Sequence, residues 1–169
     1  MQISEVGCEP QVASDHLSHL FEAVLQFTSD SPADAVVPAE GRDGAYIGSG
    51  HGSVFGDQVR GTMAWSLYAG DCLYPRIRQG ECVPDDVHLC MLTPGGFIET
   101  DDGARIRFDG RGYGLRSRDW YRVGATLTFA TDVPRYAWLT TILAVMEGDF
   151  DERTGRAIWH VYAPKSLVP

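Results

Sequence analysis

The 169-residue sequence holds a single lysine, Lys165, against thirteen arginines, and its formal net charge is −9. Nucleic-acid binders present a basic face to phosphate, and none is visible in so acidic a chain, so no nucleic-acid partner is expected. An anionic membrane surface is disfavoured for the same reason. No run approaches the ~18 consecutive apolar residues of a membrane span. Met1-Gln2-Ile3-Ser4-Glu5 has neither a basic region nor an apolar block. No secretory signal is read there, and the expected location is cytoplasmic. No Ser/His/Asp order, nucleotide-binding fingerprint or His-Glu-x-x-His pattern occurs, so hydride chemistry and nucleotide hydrolysis have no support and no cofactor is expected.

Cysteine is scarce as well. Cys8, Cys72, Cys82 and Cys90 include no Cys-x-x-Cys pair. In a reducing cytoplasm they are expected to be free thiols. Cys82, His88 and Cys90, completed by Cys72, could make a four-ligand zinc set, since His88 and Cys90 would point the same way on a strand. Structural zinc sites use tighter paired spacings, and no metal is expected. His16 and His19 stand at i, i+3 without carboxylate company.

What is present is ordinary globular material: 44% hydrophobic, 22% charged and 11% aromatic. The length predicts one domain that buries roughly 69% of its surface and needs no covalent staple. We read 1–163 as that domain, with 1–16 as an N-terminal extension. Ser166–Pro169 resembles the start of a thrombin-cleavable linker and is left out of the functional reading.

Most of the chain from 44 to 163 has strand character. Val59, Gly61, Met63, Trp65 and Leu67 alternate with polar or small residues, as do Val123, Ala125, Leu127 and Phe129, and Ala104, Ile106 and Phe108. Ala157–Ala163 reads as a last strand. Trp138–Glu147 is apolar on both faces, which predicts a strand covered on both sides or touching a partner chain. Asp101-Asp102-Gly103 is a hairpin signal, and 148–155 is a longer polar hairpin loop. Short strand spacing, no βαβ unit and 19 glycines point to an antiparallel barrel or sandwich. Gly61 and Gly124 inside strands fit tight bends. Leu17, Leu20, Phe21, Val24 and Leu25 follow the helical template, so periodicity alone predicts a helix over 15–27. Residues 29–44 are a polar, proline-bearing connection.

Five phrases in order resemble one family: "LFEAVL" at 20–25, "PAEGRDG" at 38–44, "HGSVFGDQVRGTM" at 51–63, "ETDDGARI" at 99–106 and "FATDVPRYAWLT" at 129–140. They are similar to the small bacterial and fungal β-barrel family catalogued as domain of unknown function 3237, across about residues 17–163. The resemblance implies an all-β fold: a closed antiparallel barrel of about eight or more strands with a hydrophobic interior cavity, lipocalin-like or allene-oxide-cyclase-like in plan. It also makes "LFEAVL" the first strand, against the helical template, and we follow the resemblance there. Three polar positions of the family fall on Phe55, Thr140 and the Thr93/Gly95 pair. If those groups line the cavity in relatives, the ligand here is less polar or bound differently.

A barrel lined by alternate residues encloses one small ligand. Met63, Trp65, Phe129 and Trp138 are the expected apolar and aromatic substrate contacts, with Tyr136 and Arg105 beside them; the alternative is that they simply fill the barrel. Glu22, if it points inward, would be desolvated and fit for acid–base work. His51, in the open "GSGHGS" segment, could exchange a proton with substrate. Both have a plain alternative, an outward strand position and a rim position. Gly48, Gly50 and Gly52 only loosely resemble a phosphate cradle, without the lysine and helix that one requires. Arg60 faces away from the apolar side of its strand. Arg105, Arg107, Arg111, Arg116 and Arg118 form a local basic stretch that could steer a carboxylate or phenolate to a barrel mouth, or simply pair with the many aspartates. His160 and Tyr162 share one face of the last strand. The functional expectation is a cofactor-independent isomerase, cyclase or lyase acting on a small hydrophobic or aromatic metabolite in secondary metabolism or aromatic catabolism, with Glu22 or His51 moving the proton. A non-catalytic carrier barrel is the alternative, and a homodimer or higher homo-oligomer is the expected protein partnership.

Overall fold

A computed structural model describes residues 16–37, 44–73 and 87–169. Alternation of buried and exposed positions builds eight strands: β1 (Leu17–Ser29), β2 (Ala45–Phe55), β3 (Gly61–Leu73), β4 (Val87–Thr100), β5 (Arg105–Ser117), β6 (Trp120–Ala130), β7 (Ala144–Asp151) and β8 (Arg156–Pro164). Each pairs antiparallel with the next, and β8 returns to β1 from Gln26↔Arg156 to Leu17↔Pro164, which closes the barrel. Closure removes the unpaired strand edge that a sandwich would keep. The inner faces of β3, β6 and β8 carry Met63 and Trp65, Val123 to Phe129, and Ala157 to Ala163, the residues whose period of two was legible.

The helical spacing at 17–25 belongs to a strand. The register of β1 against β8 shifts between His19 and Phe21. Leu20 and Phe21 are therefore both buried in succession, after which Ala23 and Leu25 alternate inward. A bulge that adds one buried position to an alternating strand reproduces the i, i+3, i+4 spacing of a helix.

The doubly apolar strand expected at 138–147 is divided. Pro134–Thr141 form a 3-10 helix whose Tyr136 and Leu139, three residues apart, share the buried side. In β7 Ala144 and Met146 face inward while Val145 and Glu147 face out. The segment is thus not one strand apolar on both faces, and Leu143 and Val145 are exposed on its outer side.

This helix closes one end of the barrel. Tyr136, Leu139 and Ile142 join a core cluster with Phe21, Val54, Ile98 and Phe129. Polar contacts fix it there. Asp102, in the hairpin between β4 and β5, accepts hydrogen bonds from Thr100, from the Tyr136 hydroxyl at 2.9 Å and from Arg135 at 2.9 Å. Gly103 beside it takes φ +84°, the backbone the hairpin signal requires. The hydrogen bonds from Thr100 and Tyr136, and then the Arg135 charge, hold the Asp102 carboxyl below its ordinary value of 3.8. A carboxyl with a lower pKa folded than unfolded stabilises the fold fully above the unfolded value and loses that contribution as pH falls through the folded one. Asp102→Asn is expected to flatten the fall in stability below about pH 4, measured by urea unfolding from pH 6 to 2.5. An unchanged acid limb would show that this carboxyl contributes nothing.

The glycines of β2 have a packing role and form no phosphate cradle. A Cβ at Gly50 would lie 2.7 Å from the Trp65 ring and 2.1 Å from the Gln26 carbonyl oxygen, and one at Gly48 would lie 2.1 Å from Phe27. Bare backbone at these positions gives the two aromatic rings their places inside the barrel.

Cys90 is disulfide-bonded, which corrects the expectation of four free thiols. Its register partner on β3 is Cys72. The expected zinc set rests on Cys82 and on the Cys72 and His88 side chains, which lie outside the described residues, as do Cys8 and the extension 1–15. Among the described residues no group of three metal-binding side chains occurs. Among the described residues no helix is long and apolar enough to cross a membrane. The closing residues pack on the barrel, with the Lys165 amide donating to the His16 carbonyl at 2.9 Å.

Candidate functional site at the open mouth of the barrel

At the end opposite the 3-10 helix the described residues leave part of the interior unfilled. Two lobes, of about 330 and 450 Å³, share Ile47, Leu67, Val123, Phe150 and Glu152. Phe27, Trp65 and Trp159 wall the first lobe, and Leu92, Arg116 and Tyr121 wall the second. These volumes lie in the range of small-molecule sites.

The wall is apolar and aromatic by strand parity. Trp65 and Trp159 stand 5.9 Å apart between ring centres, and Tyr121 and Phe150 are likewise 5.9 Å apart. Trp65 is 4% exposed, and its indole Nε1 has no hydrogen-bond partner among the described residues.

Among the described lining residues, charge enters at one place. The Tyr121 hydroxyl donates to Glu152 Oε1 at 2.8 Å, and Arg116 donates to Glu152 Oε2 at 2.8 Å. The Arg116 guanidinium lies 5.4 Å from the centre of the Tyr121 ring. The trio is held from two hairpins. Arg116 Nε also donates to the Arg118 carbonyl at 3.2 Å, and the Glu152 amide donates to the Asp119 carbonyl at 2.8 Å. Arg118 itself has φ 54°, a left-handed conformation unusual for a residue with a Cβ. Asp151 caps the other turn through the Arg153 amide and the Thr154 hydroxyl, and Gln26 ties that turn to β1. Desolvation, then the hydrogen bond to Glu152 and its charge, push the Tyr121 hydroxyl up to about 12. Tyr121 therefore keeps its proton across physiological pH and is a donor there. The hydrogen bond to Glu152 raises Arg116 further, so it is a fixed cation.

Of the residues expected from sequence, Trp65 lines this cavity and the others lie elsewhere. Glu22 is on the outer face of β1, 3.7 Å from His160 Nδ1, and both are about 40% exposed. His51 is exposed on the outer face of β2, with Thr28 Oγ1 at 3.4 Å from its Nδ1. The reason is parity: on β1 the inward positions are Phe21, Ala23 and Leu25, and on β2 His51 sits between the inward Gly50 and Gly52. Tyr162 and His19 pack edge to face beside His160, outside the barrel. Arg105 lies on the outer face over the Phe97 ring at 3.9 Å. Met63 and Phe129 are core residues; Phe129 meets Phe21 edge-on at 6.4 Å, at the closed end. Tyr136 and Trp138 belong to the closing helix. Phe55 and Thr140 are exposed, so neither carries a lost cavity contact. The basic stretch sends one member, Arg116, to the mouth.

Fold and site together define a closed eight-stranded antiparallel barrel with an aromatic mouth cavity and, among the described residues, one charged network on its wall. Solved structures share this architecture. A β-barrel-like protein from Acinetobacter baumannii is 20% identical, with a TM-score of 0.61 over 88% of this chain and 95% of that one. A conserved protein of unknown function from Rhodopseudomonas palustris is 17% identical, with a TM-score of 0.56 over 87% and 95%. A protein of unknown function from Clostridium acetobutylicum is 16% identical, with a TM-score of 0.54 over 88% and 99%. At these identities the likeness is one of fold. No protein-family model matches the chain, and no curated protein does.

Proposed function

We propose that the mouth cavity binds one small hydrophobic or aromatic metabolite and that the barrel rearranges it without a cofactor, by isomerisation or cyclisation. The observation that carries this is the pairing of an aromatic cavity with one proton-handling network, Tyr121–Glu152–Arg116. An apolar wall that holds a flexible compound in a reactive conformer lowers the barrier by several kcal/mol. Glu152 is the acceptor and Tyr121 the donor. An isomerisation balances within this pair: the proton Glu152 takes from one ligand atom returns to another, and Arg116 faces the charge that appears between the two steps. Glu22 and His51 lie on the outer wall and have no part in it. Membership of the domain of unknown function 3237 family belongs to this reading. It is supported by the meeting of Arg60, the Thr100–Ala104 phrase and Arg135–Tyr136 at the closed end.

The test is native mass spectrometry of the protein after incubation with an extract of producing cells, followed by release and identification of the bound compound. A released isomer of an extract compound supports the rearrangement. A compound recovered unchanged favours the carrier alternative, which the largely apolar lining also fits. Val123 borders both lobes and is 6% exposed. Val123→Trp is expected to fill the shared volume and to weaken capture by about a hundredfold, as loss of most apolar contact would. The far-ultraviolet dichroism should stay unchanged. Capture at native strength by that variant would put the site elsewhere.

A further inference from the structure

We propose that the outer wall formed by β5, β6 and β7 is the contact face of a two-fold homodimer. This face lies outside the mouth cavity, so the inference stands apart from the proposed function. Ten large apolar side chains are exposed among the described residues. Six of them stand on or beside this stretch of wall: Met91, Tyr113, Leu115, Trp120, Leu143 and Val145, each 42–56% exposed. The outer rows of β1 and β2 carry Glu22, Gln26, Thr28, His51 and Ser53 instead. Apolar side chains gathered on one side of a folded protein mark an interaction surface. Register sets them in neighbouring rows. Tyr113 pairs with Met91 on one side and Gly124 on the other, and Gly124 pairs with Glu147. Arg111 stands in the row of Thr126 and Val145, and Leu115 in the row of Arg122 and Asp149. Gly124 leaves a shallow depression of about 660 Å³ in the middle of the wall, between Tyr113 and Leu115 on β5 and Val145 and Glu147 on β7.

Charge selects the occupant. From Arg111 to Ser117, β5 has basic residues and no acid, whereas the outer row of β7, Val145, Glu147 and Asp149, has acids and no base. The two signs flank β6, so the face is complementary to itself. The closed barrel has no free strand edge, and a second copy must therefore meet it wall to wall. A two-fold axis lying in the contact plane along β6 lays β5 of one copy over β7 of the other, and every contact then occurs twice. Arg111 and the Tyr113 hydroxyl meet Glu147 of the other copy, with Leu115 and Val145 packed beside them. Within its own chain Glu147 also accepts the Tyr162 hydroxyl, and Arg122 stands 3.9 Å from Asp149. Each carboxylate has lone pairs left for a second donor. On the axis itself Gly124 carries no side chain, which lets the two walls approach closely.

The experiment is light scattering of the full chain on a sizing column at about 100 µM, a concentration that populates a micromolar dimer. The native protein should show twice the 18.6 kDa of one chain. Gly124→Glu puts bulk and charge into the depression. A Cβ there has Tyr113 as its nearest neighbour at 3.8 Å, an ordinary contact, so the barrel should keep its far-ultraviolet dichroism. Association should weaken by about a hundredfold or more, and the variant should run as a single chain. Arg111→Glu and Glu147→Arg each set like charges against one another across the axis, and each should also run as a single chain. Mixed one to one, these two variants recover opposite charges at both copies of the contact and should return to the double mass. That rescue belongs to this face and to a second copy of this chain. A native mass of one chain, or of more than two, overturns the proposal. So does a Gly124→Glu protein that keeps the double mass, or a one-to-one mixture of the folded charge variants that stays single.

Discussion

Glu152→Gln is expected to lower turnover of the barrel's compound by about 10² to 10⁴-fold, the usual contribution of a positioned proton-transfer group. The amide keeps an acceptor for the Tyr121 hydroxyl, so the wall of the cavity is preserved. It loses the negative charge and the ability to hold a proton. Ligand affinity should therefore stay within a few-fold while the rate collapses, since the lost interaction belongs to the transition state. The Glu152 side chain is 34% exposed and its ion pair with Arg116 is at the rim, so the fold should lose no more than about 1 kcal/mol. Tyr121→Phe removes the donor from the same network and should lower the rate in the same direction. Glu22→Gln and His51→Ala, on the outer wall, should leave turnover as it is. A Glu152→Gln protein that turns over its compound at the native rate would mean that the trio only shapes the mouth and that another group moves the proton.

The barrel was legible where period two was unbroken, and it was misread where the backbone departs from regularity. β6 and β8 bury every second residue over long stretches, as β3 does from Gly61 to Trp65, and no helix can do that. The first strand looked helical because one bulge places Leu20 and Phe21 inside together. The closing helix looked like a strand because Trp138 and Leu139 are followed, after Thr140 and Thr141, by the apolar run Ile142–Met146, and a run has no period to read. Pro134 and the three-residue step from Tyr136 to Leu139 were the available signals of a tight helix.

The site was less legible than the fold, for a different reason. Arg116, Tyr121 and Glu152 come from β5, β6 and the β7–β8 turn, and 31 positions separate the last two. No motif joins them; only the barrel's register does. One step of inference was open, however. Val123, Ala125, Leu127 and Phe129 mark the inward face of β6, and carrying that parity back two residues puts Tyr121 on it. The same parity on β1 puts Glu22 outside once the strand is granted. Glu22 stands between the apolar Phe21 and Ala23, but in a barrel wall the neighbours of a strand residue lie on the opposite face, so Glu22 takes its outward alternative.

Phe21→Ala is expected to cost about 3–5 kcal/mol, the range for deleting a buried aromatic ring. Phe21 is fully buried and packs edge-on against Phe129, inside the end that the 3-10 helix closes. It stands among the fully buried residues of a close-packed core, so its removal leaves a void. For a domain of this length the melting temperature should fall by roughly 6–20 °C. Total stabilities run to about 5–15 kcal/mol, so the variant should still fold in the cold. There it separates the two ends of the molecule. Phe27, which walls the mouth cavity, is six residues further along the same strand, or about 20 Å. At 10 °C the variant should therefore bind the mouth ligand nearly as the native chain does, while melting far earlier. Such a result would assign stability to the packed end and binding to the open one. A melting temperature within about 3 °C of native would show that the closed end is loosely packed. A loss of binding in the cold, with the fold intact, would show instead that the mouth depends on that packing.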